Sequence, residues 1–153
     1  MTTETEYAIN SATLSLFGQN SVLILEDSHF TTSHKSLINL DINKSDIKNI
    51  KCTLILFYSN NQESLELIRI WGAVASQTPG VVFSAVNLDT CKSVLSAFTM
   101  LNSINHSLYW ARLQSVPFIL IYNGAEPTAM YSGDRNIETI AKFALMLTCS
   151  VNF

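Results

Sequence analysis

The chain has 153 residues, 48% of them hydrophobic and only 14% charged, with a formal net charge of −3. That length fits one domain with a substantial core, and the charge, well below the roughly 25% of a typical soluble domain, leaves a polar but weakly charged surface of Ser, Thr and Asn. Nine Lys and Arg spread along the chain form no basic stripe, so nucleic acid is a poor partner, and apolar runs such as 116–122 are far too short to span a bilayer.

Residues 1–20 read as an N-terminal extension whose start, with Glu4 and Glu6, is acidic and polar, unlike a secretory signal. Residues 21–26 read as a first strand, ended by Glu26 and Asp27 ahead of Phe30. Residues 31–50, rich in Lys and Asn, take a short helix and a loop. Residues 52–58 form a strand apolar on both faces, as in a central strand covered by helices on two sides. A helix follows over 64–75, with Leu65, Ile68 and Trp71 at helical spacing, and Thr78, Pro79 and Gly80 end it. Residues 81–89 make a strand parallel to the last through a βαβ crossover. Asp89 or Thr90 then caps a helix running from about Cys91 into the Met100 region. Asn102 interrupts the pattern, and 102–113 reads as a modest insertion. A strand over 116–122 turns at Asn123 and Gly124, a strong hairpin signal, into an edge strand over 128–131. Gly133, Asp134 and Arg135 break it. The last helix spans 137–148, with Ile140, Phe143, Ala144 and Leu147 on one face, and 149–153 form a tail.

In this order and spacing, Phe57 with Tyr58, the run from Val86 to Asp89, Val116-Pro117, Asn123-Gly124 and Gly133 with Arg135 resemble the thioredoxin-like superfamily of the thioredoxin and protein disulfide isomerase type. The likeness runs over about 21–147 and rests on the joint order, since no single motif is specific. It implies a three-layer α/β/α sandwich around a central mixed sheet of four to five strands, with the domain at 21–148. It also implies a cis peptide before Pro117, facing the start of the 64–75 helix.

The chain departs from the family at the chemistry. Thiol exchange needs a cysteine at a helix N-terminus, where the dipole lowers its pKa, and a second cysteine to release the mixed disulfide. A buried carboxylate on the preceding strand assists. Laid on that pattern, Gln62 and Leu65 stand where the cysteines would be, and Leu56 where the acid would be. No cysteine lies between Cys52 and Cys91, so no shift of the alignment restores one. Dithiol exchange at that position is excluded.

Pro117 has two readings. It serves folding as a tight bend, or it marks a cis-proline groove in which the Val116 backbone pairs with an extended peptide beside Ser59, Asn60, Asn61 and Gln62. Cys91 is the best remaining thiol, because it sits at a helix start that lowers a pKa, although Asp89 opposes that effect; the plainer reading is an ordinary helix residue. Cys52 alternates within a core strand as a small apolar filler, and Cys149 lies in the tail. The three cysteines match neither a disulfide framework nor a zinc site, so free thiols in a reducing compartment are the default. His29 and His34 near Asp27 suit a solvated turn better than a metal site, and His106 has no obvious partner. There is no nucleophile elbow and no glycine-rich phosphate loop. Tyr109 and Trp110 cannot both face one core from a helix. Either one is exposed as a binding anchor, or the insertion folds back over both.

These readings point to a redox-inactive thioredoxin-like domain used as a protein-interaction or structural module, a subunit of a larger homo- or hetero-oligomeric assembly. A minor structural component of a large virus particle is one setting. The alternatives are a single-thiol redox or glutathione-linked enzyme using Cys91, and a peptide-holding chaperone module using the groove. No cofactor, metal or membrane insertion is expected. The expected location is intracellular, either cytoplasmic or within an assembled particle.

Overall fold

The computed structural model describes residues 22–31, 39–41, 52–78, 81–103 and 116–147. Its centre is β4 (Cys52–Tyr58), where four consecutive residues, Leu54 to Phe57, are completely buried. Such a run stays extended because bulky side chains pack on both sides of a pleated strand and leave it no solvent face. Four more strands surround it: β1 (Val22–Leu25), β5 (Val82–Asn87), β6 (Phe118–Asn123) and β7 (Glu126–Met130). The sheet order is β1-β5-β4-β6-β7. β1, β5 and β4 run parallel, β6 runs antiparallel to β4, and β7 runs antiparallel to β6, so the sheet is mixed as expected. The hairpin turns at Gly124, whose φ of +64° suits a residue without a Cβ. Pro127 sits in the edge strand β7, where its missing N–H need not break a ladder bond.

Alternation along β4 divides the core into two layers. Leu54, Leu56 and Tyr58 face α1 (Gln62–Gln77) and α3 (Ile137–Leu145), joining Leu67, Ile68, Trp71, Val74, Ile140 and Ala144. Ile55 and Phe57 face α2 (Lys92–Ser103), joining Val94 and Phe98, with Phe30 and Leu40 at the margin. On that second side Phe57, Phe98 and Phe118 form a triangle of rings with centroids 5.1–5.3 Å apart. On the first, the Trp71 indole N–H donates to the Ser84 carbonyl at 3.0 Å, so the largest buried side chain leaves no unpaired donor.

Several boundaries move. α1 starts at Gln62 and ends at Gln77, beyond the expected 64–75, because Asn61 is its N-cap: the Asn61 Oδ1 accepts the Ser64 N–H at 2.7 Å. Between 31 and 50 the described residues hold a short antiparallel pair, β2 (Phe30–Thr31) with β3 (Asn39–Leu40). A 3-10 turn over Asp27–His29 precedes it. α2 continues through Asn102, the expected interruption, to Ser103. The rest of the expected insertion, with Tyr109, Trp110 and His106, lies outside the described residues, as do His34 and Cys149. α3 ends at Leu145, short of 148.

Candidate functional site

Helix α1 leaves the end of β4 toward one face of the sheet, and α2 leaves the end of the neighbouring β5 toward the other. Where adjacent strands send their helices to opposite faces, the loops part and open a crevice, the usual place for a ligand in such sheets. In this chain the crevice is spanned by side chains. The Asp89 carboxylate, from the loop after β5, accepts the Asn60 backbone N–H at 2.9 Å and the Ser59 hydroxyl at 3.2 Å. Asp89 is itself held by its own N–H, which donates to the Asn87 Oδ1 at 2.9 Å. Asp89 therefore does not cap α2, as its place in the sequence suggested. That cap comes from Asp27, whose two carboxylate oxygens each accept a backbone N–H, from Ser93 and Val94, at 3.1 Å.

The start of α1 reaches the other way as well. The peptide between Val116 and Pro117 is cis. The Asn61 Nδ2 donates to the Val116 carbonyl at 3.4 Å, while the same side chain caps the helix through its oxygen. The Pro117 carbonyl accepts from the Arg135 guanidinium at 2.9 Å. Both carbonyls of the cis dipeptide are thus engaged by side chains of the chain itself. Ser64 completes the turn, fully buried, its hydroxyl accepting the Ser59 N–H at 3.1 Å.

Of the residues singled out from the sequence, Ser59, Asn60, Asn61, Val116 and Pro117 come together at this place. Gln62 stands beside them on α1 but turns outward, donating to Glu66 one helical turn on. Leu65 is 36% exposed and Leu56 is fully buried. The positions that would carry thiols and an acid therefore present an amide, an alkyl group at the surface and a core side chain. None of these is a nucleophile or a proton carrier at neutral pH. Asp89 and Arg135 were missed as site residues. Asp89 read as a helix cap from its place at a strand end, and Arg135 read as a strand breaker and as part of the family resemblance, with no bond assigned to it.

Cys91 lies away from this place, on the α2 side. It is buried, and its thiol points to the Leu25 carbonyl at 3.9 Å. Burial pushes its pKa from the ordinary 9.0 up to about 11, and the negative charge of Asp27 adds to the rise, against a smaller lowering by Thr90. The expected lowering at a helix start is outweighed because the thiol faces the core and a carboxylate occupies the helix end. Cys52, read from the sequence as a free thiol filling the core, is instead disulfide-bonded. His29 accepts the Glu26 backbone N–H through Nδ1 at 2.9 Å. Among the described residues no three His, Cys, Asp or Glu side chains converge as metal ligands, and no described helix is long and apolar enough to cross a membrane.

No protein family and no curated protein matches the chain by sequence. Solved structures do match in fold. The first thioredoxin domain of mouse protein disulfide-isomerase A4 is 14% identical with a TM-score of 0.59, over 88% of this chain and 80% of that one. Human ERp44 in its zinc-bound form is 15% identical with a TM-score of 0.54, over 81% of this chain and 29% of that one. The J-Trx1 fragment of ERdj5 is 19% identical with a TM-score of 0.50, over 82% of this chain and 50% of that one. The chain thus spans half or less of the length of these last two. The fold is thioredoxin-like.

Proposed function

We propose that this thioredoxin-like domain works as a protein-interaction or structural module, redox-inactive at the start of α1, and that it serves as a subunit of a larger assembly, with a large virus particle as one setting. One observation carries the reading. Where a reactive thiol would stand, Asn61 caps the helix with its oxygen and ties the Val116 carbonyl with its nitrogen. With Asp89 and Arg135, this makes the crevice a braced surface, and the described side chains that brace it include no thiol. The same contacts count against the peptide-holding alternative, since an incoming strand must first displace the Asn61 amide. The buried Cys91, with its raised pKa, counts against the single-thiol enzyme.

The test is native purification of the chain with whatever it binds, followed by mixing of purified components. A defined complex is expected. Gln62→Arg with Leu65→Arg, both at exposed positions of α1, should weaken that complex at least about tenfold while leaving the far-ultraviolet circular dichroism unchanged. A clean monomer with no stable partner, or a complex indifferent to that double change, would contradict the reading for this surface.

A further inference from the structure

The hairpin between β6 and β7 turns over Gly124 and Ala125, and the strand residue that enters the turn is Asn123. Asn123 and Gly124 form the one Asn-Gly pair of the sequence. In such a pair the glycine nitrogen can close a five-membered ring on the side-chain amide carbon of the asparagine. Three features leave that ring free to close here. Asn123 is exposed. Gly124 carries no side chain, and no residue beyond its chain neighbours comes within 4 Å of where a Cβ would stand, so its nitrogen is unshielded. The Gly124 N–H also makes no hydrogen bond among the described residues. Asn123 itself is held on both sides, opposite Cys52 of β4 and opposite Glu126 of β7.

We propose that Asn123 is a self-modifying site, which deamidates in the folded chain through the Gly124 nitrogen and thereby loosens this end of the sheet. The Gly124 nitrogen gives its proton to base and attacks the Asn123 Cγ. The Cγ–Nδ2 bond breaks, and the nitrogen takes up a proton and leaves as ammonia, which closes a succinimide. Water then opens the ring. Attack at the former side-chain carbonyl gives aspartate. Attack at the Asn123 backbone carbonyl gives isoaspartate, whose main chain runs through Cβ and is one carbon longer. In sum the chain takes up water and releases ammonia, with no change of oxidation state. Either product sets a carboxylate across from Glu126, and like charges directly opposite on a ladder repel. Isoaspartate does more, because its extra main-chain carbon falls at a residue paired on both sides and breaks the register with Cys52 and Glu126. Ala125, at the same turn, accepts the Leu40 N–H at 2.8 Å, so the distortion reaches β3 as well.

The experiment incubates the full folded chain for days in warm, mildly alkaline buffer and follows it by peptide mass spectrometry with fragmentation that separates aspartate from isoaspartate. The expected result is conversion at Asn123 ahead of every other asparagine, with isoaspartate the larger product. Asn123→Gln should abolish it, because the longer side chain closes the ring poorly. Asn123→Asp carries the charge without the longer main chain, and should melt up to about 4 °C below the parent. The purified isoaspartate form should melt lower than Asn123→Asp and exchange the Leu40 amide hydrogen faster. No conversion at Asn123, or faster conversion at another asparagine, would overturn the site. An isoaspartate form that melts and exchanges like Asn123→Asp would overturn the loosening of the sheet.

Discussion

The two helices that leave the centre of the sheet begin in different ways. α1 is capped by its immediate neighbour, Asn61, and its first turn is polar and largely exposed. α2 is capped by Asp27, 66 residues before Ser93 and 67 before Val94, and the residue ahead of it, Cys91, is buried. The first start is a surface feature that other molecules can reach. The second is a joint, in which a carboxylate from the end of β1 fastens α2 to the sheet. The difference explains why a thiol at a helix start does not make a reactive thiol. Reactivity needs the dipole together with access and no competing anion, and the start of α2 has only the dipole.

The largest expected effect lies on the α2 side. Phe98→Ala should lose about 3–5 kcal/mol in urea unfolding, because Phe98 is fully buried against Phe57 and Phe118. Leu65→Ala, on the exposed first turn of α1, should stay within about 0.5–1 kcal/mol. Comparable losses would erase the distinction between joint and surface. Asp27→Ala should cost about 1–3 kcal/mol by orphaning the N–H groups of Ser93 and Val94, with Asp27→Asn in between. A loss no larger than that of an ordinary surface change would mean α2 does not depend on its distant cap.

Cys91 supplies a sharper test in pH. Its folded pKa, about 11, is above the unfolded 9.0, so the folded chain holds the proton more tightly. The contribution is present in full below about pH 9 and is lost as pH rises toward 11. Stability should therefore fall over that window by about 1–2 kcal/mol more in the parent chain than in Cys91→Ala. Equal slopes would show that the thiol is not held in its protonated form. A further small effect lies at the N-cap of α1. Asn61→Ala should cost about 1 kcal/mol, whereas Asn61→Asp keeps the cap and loses only the donor to Val116. Identical melting of Asn61→Asp and Asn61→Ala would mean that the oxygen cap contributes nothing and that the link to Val116 carries the effect.

The architecture was legible in the sequence because its central signals are local. The run Cys52–Tyr58 shows its burial on both faces directly, and the Asn123-Gly124 turn shows the hairpin. The start of α1 was missed by two residues because Asn61 and Gln62 look like turn residues until the Asn61 oxygen is seen on the Ser64 N–H. The pair of β2 and β3, two residues each, is too short to leave a period. The bonds of the site were hidden for another reason. Asp89 and Asn60 are 29 residues apart, Asp27 and Val94 are 67 apart, and both contacts exist only after the strands have aligned. Local rules assigned Asp89 the nearest helix to cap, whereas a more distant carboxylate caps that helix. Cys52 was misread similarly, since a strand residue shows its alternation in sequence but not what its face meets.

The central claim is that the start of α1 has no thiol chemistry to offer, and insulin reduction tests it most directly. The purified chain with dithiothreitol should precipitate insulin no faster than dithiothreitol alone, and Cys91→Ala should behave identically. A clear acceleration by the parent chain, abolished by Cys91→Ala or by Cys52→Ala, would contradict the account.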